Sequence, residues 1–361
     1  MNVQARLSKK TSLGPLLAGC VAAAVLSVVA AQTDAFAQMA PVRIATANVS
    51  SDIGFFIADK KGYFRDEGIS VTFTSFNSAA KMIAPLGSGQ LDVGGGTASA
   101  GLYNAVARGI NVKIVADKGS IAPGYGFSSL LVRKDHVTSG RYKSYADLKG
   151  MKVAIGAAGT GTASALNEAM KKGGLKYADA EVLEIAFPQH VLAYSNKAID
   201  ASITNEPTTT RALQSGVAVR VAGNDTIYPN QQTAVVLYSG EFIKKSPDVA
   251  RKFMRAYIRA IREYNDSLID GKIVGPNAEE IISILTEYTA IKDSNVYREI
   301  VPNACDPNGK VNAASLSKDL EFFREQNLIH GDVTTAQVID NSFTELAVRD
   351  LGPYLRKKAS R

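Results

Sequence analysis

IGFFIADKKGYFRDEGISVTF, residues Ile53–Phe73, decides the fold class. It follows Val42–Ala47, a short apolar stretch that reads as a strand. Ile53, Phe56, Ile57, Tyr63 and Phe64 fit a helical stripe with charge between them, interrupted at Gly62. Ile69–Thr74 is a second strand. Strand, loop, amphipathic helix, glycine stop and strand together predict a βαβ unit.

Outward from that unit, strand-like and helix-like segments keep alternating, which predicts a parallel α/β architecture. Val112–Ala116, Met151–Ile155, Val182–Ala186 and Ala201–Thr204 read as strands, and Ala98–Arg108 and Thr162–Lys172 as helices. Two apolar strands far apart in the chain, Phe127–Arg133 and Thr233–Tyr238, are read as crossovers between two lobes. The lobes echo each other. Gly89-Gln90-Leu91-Asp92-Val93 leads into Gly94-Gly95-Gly96-Thr97, and Lys197-Ala198-Ile199-Asp200-Ala201 leads into Ile203-Thr204-Asn205-Glu206-Pro207. Each is a helix end, an aspartate, a buried strand and a small or polar loop. Such loops lie at the carboxyl edge of a sheet, where α/β folds bind ligands. Ser246-Pro247 then opens a helix whose Val249, Phe253, Tyr257, Ile261 and Tyr264 share one face. Its arginines and Lys252 read as a solvated surface.

The amino terminus reads as an export leader. Arg6, Lys9 and Lys10 precede an uncharged run to Thr33, and Ala35-Phe36-Ala37 is an A-x-A site, so residues 1–37 are expected to be removed. An uncleaved anchor and lipidation at Cys20 are the alternatives. The leader holds three basic residues and Asp34, so the remainder carries +7 − 2 = +5. That modest excess has no lysine/arginine block with interleaved aromatics, and nucleic acid is not an expected partner. Only Cys305 would remain, which excludes an intramolecular disulfide. His136, His190 and His330 lack metal-ligand spacing, and no GxSxG is present. The expectation is a protein with no catalytic residues, no metal and no cofactor. About 320 remaining residues exceed the usual single-core size, so two lobes are expected.

In wording, the opening βαβ unit resembles the extracytoplasmic solute-binding proteins of nitrate, sulfonate, taurine and thiamine-precursor ABC transporters. Ala84–Val93, Tyr145–Ala154 and Asn205-Glu206-Pro207 are similar to that family's first aspartate step, its entry to lobe two and its cleft-facing turn. Lys197-Ala198 stands where the family often has glycine. Gly94–Ser99 lacks the aspartate–proline pairing of the better-known sulfonate binders. The resemblance implies a two-lobe periplasmic-binding-protein (type II) fold, with mostly parallel sheets, helices on both faces and a two-strand hinge. Lobe one would be residues 38–132 plus 235–361, and lobe two 133–234. It further implies a periplasmic monomer that hands a small-molecule ligand to a permease served by a separate ATPase. A small organic anion, sulfonate- or carboxylate-like, is the expected cargo, with a neutral pyrimidine-like heteroaromatic as runner-up. A pyrimidine synthase on the same fold is the enzymatic rival.

The ligand residues are expected on the loops at the two sheet edges. Gly159, Thr160, Gly161 and Thr162 lie between a strand and a helix start, where backbone amides and hydroxyls favour an anion. No Gly-Lys-Ser/Thr follows, so this is not a P-loop; an ordinary glycine-rich turn is the plainer reading. Gly96, Thr97 and Ser99 form the matching loop on lobe one, or serve tight helix packing. Ser50 and Ser51 offer polar groups after the first strand, while Asp52 is read as a helix cap. Asn77 follows the second strand and could cap the next helix instead. Lys118 and Tyr125 precede the crossover. Tyr125 or Phe127 would wall the ligand on one side and Phe187 on the other, unless they are core. Glu206 would accept a hydrogen bond from the ligand or cross-link the lobes on closure, or be neutralised by Arg211.

Overall fold

A computed structural model describes residues 39–357 of the chain. The expected leader, its cleavage site and Cys20 lie outside the described residues. Among the described residues no helix is long and apolar enough to cross a membrane.

The strands are β1 (Ala40–Thr46), β2 (Ile69–Ser75), β3 (Val93–Gly96), β4 (Val112–Ser120), β5 (Ser128–Arg133), β6 (Lys152–Ile155), β7 (Glu181–Glu184), β8 (Ala201–Asn205), β9 (Ala218–Gly223) and β10 (Gln232–Ser239). They form two five-stranded sheets, ordered β2-β1-β3-β10-β4 and β7-β6-β8-β5-β9. The expected α/β, two-lobe fold is therefore observed. In the first sheet β1 pairs in parallel with β2 and β3, while β10 runs antiparallel to β3 and β4. In the second, β6 pairs in parallel with β7 and β8, while β5 runs antiparallel to β8 and β9. The sheets are thus mixed: four strands of each share one direction and the fifth opposes them. The reason is the crossing itself. A chain arriving from the other lobe enters its new sheet at the cleft edge and must run away from it, whereas the remaining strands end there.

This geometry also moves the lobe boundaries. All of β5 is bonded within the second sheet, so residues 128–132 belong with lobe two, and β10 from Gln232 belongs with lobe one. The crossovers are the segments just before these strands, not the strands themselves.

Within the opening βαβ unit, α1 (Ile53–Lys60) buries Ile53, Phe55, Phe56, Ile57 and Ala58. Gly62, at φ +77°, breaks the helix where an L side chain would be strained, and a further turn over Tyr63–Asp66 follows. Phe56 packs edge-on against Phe73, which closes the unit on itself. The helices that matter for the cleft are α2 (Ala100–Ala107), α3 (Gly161–Lys172), α4 (Thr208–Gln214), α5 (Pro247–Ser267), α6 (Ser294–Glu299) and α7 (Ala313–Glu325). On α5 the expected face is buried: Phe253, Tyr257, Ile261 and Tyr264 are all shielded from solvent. Its opposite face is less solvated than expected, because Arg255 binds Glu67 and Asp350 while Arg259 binds Asp66. The carboxyl-terminal helices are not confined to lobe one. From α7, Phe323 packs against Tyr103 of lobe one and Phe322 against Tyr177 of lobe two. Lys318 of α7 reaches Glu168 of α3 at 2.7 Å.

Candidate ligand-binding site

The carboxyl ends of the parallel strands in both sheets face one another, and a cavity of about 60 Å³ lies between them. That is room for a few waters or one small solute. Gly96 at the end of β3 lines its lobe-one side, with Gly95 next to it. A Cβ on Gly95 would lie 2.5 Å from Phe55 and 3.1 Å from Lys118, and one on Gly96 would lie 2.5 Å from Ala79. Only a bare backbone lets β3 come this close to the residues around the cavity.

Lys118, at the end of β4, is a cavity residue with its side chain 1% exposed. Its ammonium donates to Asp52 Oδ1 at 2.6 Å and to Ser51 Oγ at 3.0 Å. An ammonium carries three donors, so one N–H is left over beside the cavity. The second Asp52 oxygen accepts from the amides of Ala47 and Val49 at 3.1 and 3.2 Å. Asp52 therefore does more than cap: it folds the β1 loop around itself and cancels the Lys118 charge. Burying either charge alone would be costly.

The lobe-two wall is the start of α3. Thr160 is its N-cap residue, but its hydroxyl donates to Ala157 O at 2.7 Å instead of capping the helix. Thr162 Oγ1 sits 3.2 Å from Thr160 Oγ1 and accepts from Gly156 N at 3.3 Å. The amides of Gly161 and Thr162 meet no acceptor among the described residues. The first two residues of a 12-residue helix, both lining the cavity, thus carry unused N–H groups, and the helix dipole adds to them. The apolar walls come from Ala47, Val49, Phe127 and Phe187, which pack into a small cluster with Ile121 behind them. Gly156 makes room for Phe187, since a Cβ there would lie 2.6 Å from the ring.

The lobes also touch directly on both sides of the cavity. Ala100 N donates to Gly159 O at 2.8 Å on one side, and Ser50 N donates to Glu206 O at 3.2 Å on the other.

Against this geometry, the family model described as NMT1/THI5 like matches residues 50–266. The chain belongs to the NMT1/THI5-like family. A Brucella abortus protein named as a binding protein is 25% identical over 246 residues, covering 67% of this chain and 69% of that one. Among solved structures, the ligand-binding component of an ABC-type import system from Staphylococcus aureus superposes with a TM-score of 0.71 at 14% identity, over 86% of this chain and 99% of that one. The alkanesulfonate-binding protein SsuA from Xanthomonas axonopodis pv. citri, bound to MOPS, gives 0.67 at 19%, over 84% and 99%. At these identities the likeness to the solved structures is one of fold.

In this NMT1/THI5-like chain, Ser51, Gly96, Thr97, Lys118, Thr160, Gly161, Thr162 and Phe187 are brought together around the cavity. The other six residues singled out from sequence lie elsewhere. Ser50 and Gly159 spend their backbone groups on the lobe–lobe bonds just described. Asn77 is exposed, beyond the end of β2. Ser99 caps α2, its hydroxyl accepting from Leu102 N at 3.2 Å. Tyr125 packs against the lobe-one core. The Glu206 carboxylate is buried and accepts from Thr210 N at 2.9 Å and Val301 N at 3.2 Å; Arg211 is not among its partners. Sequence reasoning passed over Gln231 and Thr233, which line the cavity at the start of β10. Gln231 ahead of that strand reads as ordinary loop, and Thr233 as the first residue of the strand. Only the antiparallel entry of β10 turns that end toward the cleft.

Proposed function

We propose that this chain is the extracytoplasmic solute-binding component of an ABC importer, closing two lobes over a small organic anion of sulfonate or carboxylate type. The observation that carries the reading is the pair of unused amides, Gly161 N and Thr162 N, at the start of α3. Lys118, with one N–H to spare, lines the same cavity. An anionic head would take these donors, and Phe127 and Phe187 would cover an apolar body. In the binding cycle, an open form exchanges solute and a closed form completes contacts from both lobes. The closed form then docks on a permease driven by a separate ATPase. The family, and relatives named as binding or import proteins, support this reading. The export leader expected at residues 1–37 supports a periplasmic location. No histidine, cysteine or carboxylate stands among the described lining residues, which favours capture over turnover.

A second reading has its own observation. Asp52 cancels the charge of Lys118, leaving no net charge in the wall, and two aromatic rings flank the space. A neutral heteroaromatic would fit such a wall. A thermal-shift screen over sulfonates, carboxylates, nitrate and pyrimidines separates the two, because a ligand stabilises the form it binds by mass action. The anion reading expects a rise in midpoint with at least one sulfonate or carboxylate. Shifts with neutral compounds alone would replace it with the second.

A further inference from the structure

Glu206 directly follows β8 in lobe two, yet three of its four bonding groups leave that lobe's own sheet and helices. Its amide donates to Phe127 O in the crossover at 3.2 Å, and its carbonyl accepts from Ser50 N of lobe one. Its carboxylate spans Thr210 N on α4 and Val301 N, just past α6. The segment that carries Val301 is fixed to lobe one: Ala304 bonds Ser120 of β4, and Asp306 N donates to Asp117 at 2.7 Å. Parting the lobes would therefore strip Glu206 of Ser50 N and Val301 N and admit water to its carboxylate. We propose that Glu206 is a closure latch whose carboxyl group takes up a proton as the lobes shut, linking solute capture to proton uptake.

The charges facing Glu206 do not compensate it. Arg220 on β9 lowers its pKa only weakly, and that guanidinium also donates to Gly126 O at 2.9 Å. On the loop that carries Ser50, Asp52 is already matched by Lys118. On α6, Glu299 bonds Gln214 of α4 at 2.8 Å, and on α4 itself Arg211 is exposed. Burial outweighs the two amide bonds and pushes the Glu206 carboxyl up to about 7. In the open form, with water at the carboxylate, the group returns toward the ordinary carboxylate range. Between those two values the closed form holds a proton that the open form lacks, so closure strengthens as pH falls.

The inference rests on the hinged reading above but not on any choice of ligand, so the test uses the ligand-free protein. Hydrogen exchange at the Ser50 and Val301 amides, corrected for intrinsic rate, reads the two lobe-to-lobe bonds directly. Protection is expected to rise by up to about tenfold per unit as pH falls from about 7 to about 5, and to become independent of pH in Glu206→Gln. Protection that ignores pH in the natural protein overturns the proposal. So does a pH dependence that survives in Glu206→Gln, which would move the effect to Asp117, bonded to Asp306 N, or to Asp319, a buried carboxylate on α7 facing α3. Should Glu206→Gln fail to fold, Asp319→Asn and Asp117→Asn decide together: pH dependence retained in both supports Glu206, and dependence lost in either overturns it. A thermal-shift screen that finds no anion would leave this result untouched.

Discussion

The carbonyl oxygen of Gly159 in lobe two accepts a hydrogen bond from Ala100 N at the start of α2 in lobe one, 2.8 Å away. Gly159 holds φ at +59°, and a Cβ there would lie 2.7 Å from Ala100 Cβ. The left-handed backbone alone would cost an alanine about 1–2 kcal/mol. Gly159→Ala should therefore lower the melting midpoint slightly and weaken ligand binding by about tenfold more than that loss accounts for. Ala100→Gly in the same background relieves the contact and should restore affinity but not stability. Calorimetric titration beside thermal unfolding of both variants checks the pair.

Lys118 and Asp52 form a buried pair, so removing one partner strands the other. Lys118→Met should destabilise the fold by about 3–5 kcal/mol. Adding Asp52→Asn should recover much of that loss, since no uncompensated charge then remains. Denaturant unfolding of the two single variants and the double variant measures the coupling, and additive losses would disprove it.

Phe187 is half-buried and leans over Gly156 at the cavity. Phe187→Ala should cost about 1–2 kcal/mol of stability, less than a fully buried ring. Affinity should fall most for solutes with an apolar body and least for nitrate-sized anions. Titrating one ligand of each kind against both proteins would show whether the ring acts as a wall or only as packing.

His190 is fully buried, and its Nε2 lies 2.9 Å from Ile185 O while Nδ1 has no partner among the described residues. Burial pulls its pKa down to about 4. The folded imidazole stays neutral while the unfolded chain protonates from about 6.5 downward. The stability it confers is complete above about 6.5 and is lost as pH falls toward about 4, by about 3 kcal/mol at most. His190→Gln should flatten that part of the stability profile. Asp117, Glu206 and Asp319 have raised pKa values and push the other way, so the comparison needs the variant and not the natural protein alone.

Much of the architecture was legible because it is written in local chemistry. The stripe from Ile53 to Phe64, the break at Gly62 and the apolar runs at β1 and β2 follow from helical and strand periodicity within a few residues. The loops after β3, β6 and β8 could be placed at a sheet edge for the same reason. The alternation of segments could not reveal that β5 and β10 run against their sheets. That direction depends on which lobe the chain has just left.

By itself, then, the sequence determined the α/β class, the two sheets and the glycine- and threonine-bearing turns at their carboxyl edges. Tertiary structure alone decided which polar groups in those turns remain unspent. The Gly159 carbonyl, the Ser50 amide and the Glu206 carbonyl look like ligand donors and acceptors until the lobes meet and use them on each other, while the buried Ser50 hydroxyl keeps no partner among the described residues. Lys118 looks like a free cation until Asp52, 66 residues away, takes its charge. A residue's type and its neighbours in sequence fix what it can bond. What it does bond depends on partners that only long-range packing brings within reach.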